Sequence, residues 1–251
     1  MIGAISASMF RVVLLLHVLA AVAGAWFVGP WFPVAVVSSL LLFIGFASSH
    51  PGWGLFGPAV VRGAGGDRVS LTFDDGPHPD STPALLQALR DAEMRATFFV
   101  LVDRCEQWPE LLSAIAAEHE VGLHGLRHHP WIALWPPERG AEELREARRR
   151  LAELCGEEIA LYRPPFGITS PRMVEAVKAV GLRTIWCSMR PLDGISGEPD
   201  RLLHLCKEAR GGDIVLLHEG PNRPAAGVLA DVLADFRQRG LRSVTVGELL
   251  A

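Results

Sequence analysis

A chain of 251 residues, 49% of them hydrophobic, is long enough for one large domain, with or without an accessory segment. Its net charge is −4 and it has no lysine-arginine patch interleaved with aromatics, which argues against nucleic acid as a partner, and no protein partner is indicated. The four cysteines, Cys105, Cys155, Cys187 and Cys206, are widely spaced and form no CxxC pair, which excludes a zinc ribbon and leaves ordinary thiols suited to a reducing compartment.

Most of the apolar character lies in the first fifth of the chain. Residues 12–28 are apolar apart from His17, residues 31–48 are apolar again, and Gly29-Pro30 separates them. Each run is near the lower limit for crossing a hydrocarbon core of roughly 30 Å. The pattern predicts two membrane helices joined by a tight turn, with Trp26, Phe27, Trp31 and Phe32 clustered at the interface. A cleaved signal peptide fits less well, because Arg11 comes late and a second apolar run follows at once. Arg11 precedes the first run, Arg62 and Arg68 follow the second, and the turn has no basic residue, so the positive-inside rule favours a cytoplasmic main domain over a periplasmic one. The expected division is a hairpin over 1–49, an interfacial linker over 50–67 lying along the bilayer surface, and a catalytic barrel over 68–251.

Beyond Arg68, strand and helix alternate with turn signals between them. Strands are expected at 69–73, 96–100, 121–124, 159–162, 183–186, 214–217 and 243–246, and helices at 83–93, 109–119, 137–154, 171–180, 200–209 and 225–239. The arginines of 137–154 alternate with glutamates and read as a solvated helix face. Seven strands with intervening helices predict an α/β parallel sheet closed, or nearly closed, into a barrel.

Charged and imidazole residues recur where these strands end. Val69, Leu71 and Phe73 share one strand face, which delivers Asp74 and Asp75 to the strand end before the Gly76-Pro77 turn. Two adjacent carboxylates repel unless a cation lies between them or one is protonated, so the pair suggests a metal site or a general base. His124 and His128, four apart, would point the same way on a helical turn and could take one ion together with an Asp, leaving positions open for water and substrate. Pro164 and Pro165 stiffen the loop after Arg163, so the Phe166 amide could serve as an oxyanion donor while Arg163 fixes a carboxylate. His218 ends a strand, where a general acid would be needed.

The ordered set Thr72-Phe73-Asp74-Asp75-Gly76-Pro77, His124-x3-His128, Arg163-Pro164-Pro165-Phe166-Gly167 and Leu216-x-His218 resembles the polysaccharide deacetylase family, carbohydrate esterase family four with the NodB-homology domain. The resemblance spans about 69–246 and implies a distorted (β/α)7 barrel that removes an acyl group from a sugar with a divalent metal, Zn2+ first and Co2+, Mn2+ or Ni2+ as alternatives. It implies Asp74 as base, with Asp75, His124 and His128 on the metal and His218 as acid. Arg163 would orient Asp74, the Phe166 amide would hold the oxyanion, Leu216 would line the acyl-methyl pocket, and Trp186 would meet the substrate. Two departures from the family pattern stand out. His129 is a second candidate beside His128, and the fourth motif, Trp186 to Gly194, keeps clearly only Asp193, which in the family positions the arginine or the acid histidine. Its Arg190-x-x-Asp193-Gly194 form resembles the branch that includes deformylases of undecaprenyl-phosphate-linked aminoarabinose. The expected function is therefore an N-deacylase acting on a polyprenyl-phosphate-linked sugar at the bacterial inner membrane. The alternatives are a periplasmic deacetylase of peptidoglycan or exopolysaccharide, and a non-catalytic barrel used for binding or assembly.

Overall fold

The computed structural model describes residues 7–29, 31–194 and 197–251. Pro30 of the expected turn, and the side chains of Arg11 and Trp26, lie outside the described residues. Two helices come first, α1 (Ala7–Phe27) and α2 (Trp31–Ser48). They pack closely: a Cβ on Gly24 would fall 1.8 Å from the Phe32 ring, so only glycine fits there. Among the described residues, α2 is long and apolar enough to cross a membrane, and the apolar stretch Val12–Gly24 of α1 is shorter.

The following segment turns through Pro51–Trp53, where Phe46, His50 and Trp53 stack on one another. It packs on the barrel: Leu55 is buried, and Val60 donates its amide to the Thr184 carbonyl at 2.9 Å and accepts from the Trp186 amide at 2.7 Å.

The barrel then runs β1 (Arg68–Gly76), α3 (Thr82–Asp91), β2 (Thr97–Leu101), α4 (Val102–Gln107), α5 (Pro109–Glu118), β3 (Glu120–Gly125), α6 (Pro137–Cys155), β4 (Leu161–Tyr162), α7 (Pro171–Val180), β5 (Arg183–Thr184), α8 (Pro199–Lys207), β6 (Ile214–His218), α9 (Ala225–Gln238), β7 (Arg242–Ser243) and α10 (Val246–Leu250). All ladder pairings are parallel, in the order β5-β4-β3-β2-β1-β6, with β7 beside the first residues of β1. Buried parallel strands are apolar on both faces. Val69, Leu71 and Phe73 of β1 meet the helix layer, where Phe73 stacks on Phe98 at 5.0 Å, while Phe99, Leu216, Ile185 and Trp186 fill the lumen.

The curled sheet has a gap between β5 and β6, where among the described residues three isolated bridges lie: Val60 to Ile185, Arg62 to Asp213, and Met189 to Val215. The architecture is the expected (β/α)7-type barrel. Four local expectations differ, and β4 and β5 cover only Leu161–Tyr162 and Arg183–Thr184 where strands at 159–162 and 183–186 are expected. The last strand is only Arg242–Ser243, because Thr245 and Glu248 form a capping box that starts α10. The helix α4 was not foreseen, since it begins directly at the end of β2 without a turn residue.

Candidate active site and metal centre

The strands β1, β3, β4 and β6 end around one cavity of about 300 Å3. A larger hollow of about 710 Å3, against α6, is lined by surface arginines and glutamates such as Arg149 and Glu153, which pair with each other at 2.7 Å, and has none of the motif residues.

Asp74 is buried at the end of β1, and its Oδ1 accepts from Arg163 Nη1 at 2.8 Å. Arg163 is fully buried and completely engaged. It also donates to Thr72 Oγ1 at 2.7 Å and to the Trp186 carbonyl at 3.0 Å, and its guanidinium lies 4.1 Å from the centre of the Phe99 ring. A planar five-donor group satisfied in this way holds the carboxylate in one orientation.

Asp75 has φ 71, which turns its side chain away from that of Asp74. Its Oδ1 is 3.4 Å from His124 Nε2 and 3.3 Å from His128 Nε2, and one donor atom from each residue lies within 4.8 Å of the others. Burial tends to raise the Asp75 carboxyl, but the neighbouring His124 and His128 outweigh it and hold the group well below the usual carboxylate range. Burial lowers His128. The His124 Nδ1–H donates to the Arg163 carbonyl at 2.9 Å, so Nε2 presents its lone pair to the cluster. The buried Asp75 Oδ1 has no hydrogen-bond partner, which fits a carboxylate and two imidazole acceptors arranged for a cation. His128 reaches this point from the loop after Gly125, whose φ of 130 reverses the chain, and not from the helical turn that its spacing suggested. Its ring rests on Phe166 at 4.0 Å. His129 points elsewhere, accepting from the Trp131 amide and packing on Trp135.

His218 faces the same cavity from the end of β6. Asp193, 1% exposed, accepts from His218 Nδ1 at 2.8 Å and from its backbone amide at 2.8 Å. Burial opposes a charged imidazole, but the Asp193 hydrogen bond and charge outweigh it and raise the His218 pKa. Asp193 thus pairs with the histidine and not with Arg163. Gly194 is needed beside it, since a Cβ there would fall 2.9 Å from His218 Cε1. Leu216, Trp186 and Phe166 complete the lining, and Phe166 holds φ 58 between two prolines and Gly167.

Sequence reasoning missed Arg104, Arg223 and Glu219 and met Arg190 only as part of a motif. Arg104 on α4 donates to the Asp75 carbonyl, and Arg190 and Arg223 line the cavity mouth. Glu219, fully buried, is pushed up to about 7 by burial and bonds to Thr82 and Ser81. The one available signal was position: Glu219 and Arg223 follow His218 in the turn-rich run Glu219-Gly220-Pro221-Asn222-Arg223.

The family model of the polysaccharide deacetylases matches residues 62–185. The chain is 34% identical over 191 residues to a peptidoglycan-N-acetylglucosamine deacetylase of Bacillus cereus, covering 72% of this chain and 87% of that protein. It is 31% identical over 155 residues to a chitooligosaccharide deacetylase of Azorhizobium caulinodans, covering 61% and 73%. Among solved structures, a family 4 carbohydrate esterase of Streptomyces lividans in complex with acetate superposes with TM-score 0.65 at 28% identity, covering 72% of this chain and 93% of the other. A family pseudoenzyme of Bacillus anthracis shares the fold, with TM-score 0.71 at 22% identity, covering 77% and 69%.

Proposed function

The chain belongs to the polysaccharide deacetylase family and is a carbohydrate deacetylase, a hydrolase, and from that premise we propose that it is a metal-dependent N-deacylase of a polyprenyl-phosphate-linked sugar, anchored in the membrane by α1 and α2. The observation that carries the catalytic part is the convergence on one cavity of an Arg163-held carboxylate, a three-residue cation set and an Asp193-held imidazole.

Asp75, His124 and His128 would hold the ion, which when bound supplies Lewis-acid polarisation of the amide carbonyl and brings the pKa of a water from 15.7 toward about 7. Arg163 holds Asp74 aimed into the cavity, where Asp74 takes the proton of the attacking water. The Phe166 amide donates to the developing oxyanion. His218, with Nδ1–H given to Asp193, carries its second proton on Nε2 and passes it to the departing amine. Leu216 and Trp186 shape the acyl pocket. Zn2+ suits one carboxylate and two imidazoles with open positions.

Support for a lipid-borne substrate comes from α2, which is long and apolar enough to cross a membrane, immediately preceding the barrel. The placement of Arg11, Arg62 and Arg68 favours a cytoplasmic barrel over a periplasmic one. A second reading, a periplasmic peptidoglycan or chitooligosaccharide deacetylase, is favoured by the names of the two relatives above. The test is amine release from N-acylated sugars, free and polyprenyl-linked, with and without chelator. Chelator-sensitive release that Asp75→Ala abolishes is expected, and activity surviving in that variant removes the metal assignment. Mass spectrometry of lipid-linked sugars from cells with and without the gene decides the substrate. A difference of one acyl group is expected, and unchanged lipids with altered peptidoglycan give the second reading.

A further inference from the structure

We propose that an apolar rim beside the active-site cavity, formed by Trp131, Leu134, Phe166 and Ile168, of which Phe166 also lines the cavity, is a second membrane contact that seats on the lipid surface and brings the cavity next to it. This rests on reading α2 as a membrane span. Outside residues 12–46, five large apolar side chains are exposed among the described residues, and four of them are here: Trp131 at 63%, Leu134 at 59%, Phe166 at 45% and Ile168 at 37%. The fifth, Leu154, stands alone on α6. Single exposed apolar residues are ordinary, but a group gathered on adjoining loops next to a functional cavity marks an interaction site.

The identity of the partner follows from what the rim is tied to. The Thr169 amide donates to the carbonyl of Ser48, the last residue of α2, at 2.9 Å. The end of a span lies at headgroup level, and Ile168 is one residue, about 3.8 Å of Cα trace, from that bond. Phe46, His50 and Trp53 stack at the same end of α2, as aromatic residues do at a bilayer interface. The second rim loop is fastened to the first: Ser170 Oγ donates to the Ala133 carbonyl, and Arg172 Nη1 donates to the Leu134 carbonyl at 2.9 Å. All four apolar side chains therefore sit on two cross-braced loops held against the end of the span. Within about five residues of them along the chain, exposed Arg127, Arg139 and Arg172 outnumber exposed Glu138, which suits anionic headgroups. Phe166 belongs to the rim and to the cavity wall at once, so a sugar carried on a lipid phosphate would reach the site without leaving the surface.

The test uses the full chain, with Cys155→Ser, in anionic phospholipid vesicles containing brominated lipid. An environment-sensitive fluorophore is placed at Leu134→Cys or Ile168→Cys, at Leu41→Cys within α2, and at Asp91→Cys at the far end of α3. Labels at 134, 168 and 41 should be blue-shifted and quenched, with those at 134 and 168 about 5–10 Å deep, and the label at 91 should be neither. Labels at 134 and 168 that behave like the one at 91, while 41 is quenched, overturn the rim contact and leave the anchor standing. An unquenched label at 41 overturns the anchor, and the rim contact with it. Trp131→Ala should leave KM for a soluble chitooligosaccharide unchanged. A severalfold rise would make the rim a sugar platform and refute the lipid contact.

Discussion

On one wall of the cavity each titratable group has a fixed buried partner, whereas on the other three acceptors converge on one another. Asp74 is bound to Arg163 and His218 to Asp193, both at 2.8 Å, so these pairs are complete within the chain. Asp75 Oδ1 lies 3.4 Å from His124 Nε2 and 3.3 Å from His128 Nε2, and this carboxylate oxygen has no hydrogen bond. The difference separates two kinds of work. Groups that move protons need a set orientation and a set pKa, which fixed partners give. Groups that bind a cation need unprotonated lone pairs aimed at a common point.

The comparison can be broken at its strongest point by Asp74→Asn. This change keeps the shape and leaves the cation set intact, so metal binding measured by calorimetry should persist while kcat falls about 10²–10⁴-fold. Retained turnover would move the base elsewhere. Next, Arg163→Ala leaves Asp74 buried without its cation, and denaturant unfolding should show a loss of about 3–5 kcal/mol as well as lost activity, since removing one partner of a buried pair strands the other charge. A loss below about 1 kcal/mol, the value of an exposed pair, would show that Asp74 is solvated. The smallest effect is expected for Asp193→Asn. Asp193 raises the His218 pKa, so its loss lowers that pKa, and an acid that must be protonated then fails earlier on the alkaline side. The alkaline limb of kcat/KM should move to lower pH while the acid limb stays in place. An unmoved alkaline limb would remove His218 from the acid role.

The parts of the fold that repeat a local pattern were legible. Val69, Leu71 and Phe73 alternate because β1 is a strand, and the helix at Pro171–Val180 was readable from Ser170, Pro171 and Gly181 at its ends. The site residues at strand ends were legible for the same reason. What escaped depends on loops. A spacing of four between His124 and His128 reads as a helix unless Gly125 is known to reverse the chain. Of the two partners expected for Asp193, the arginine and the acid histidine, only the path of the loop decides for His218. Nor did the role of residues 60–63 show in the sequence, since a Pro- and Gly-rich run without alternation carries no strand signal, and its pairing is supplied by distant edges.

Those residues act as the last stave of the barrel. Val60 bonds between Thr184 and Trp186, and the Gly63 amide donates to the Gly212 carbonyl, so the gap between β5 and β6 is bridged by chain that precedes the first strand. During synthesis this stave emerges before every strand, but its partners emerge only after most of the barrel has been made. Pairings so distant in sequence form late. The sheet therefore closes on the segment that follows α2, and the join between the N-terminal helices and the barrel is also the seam of the barrel.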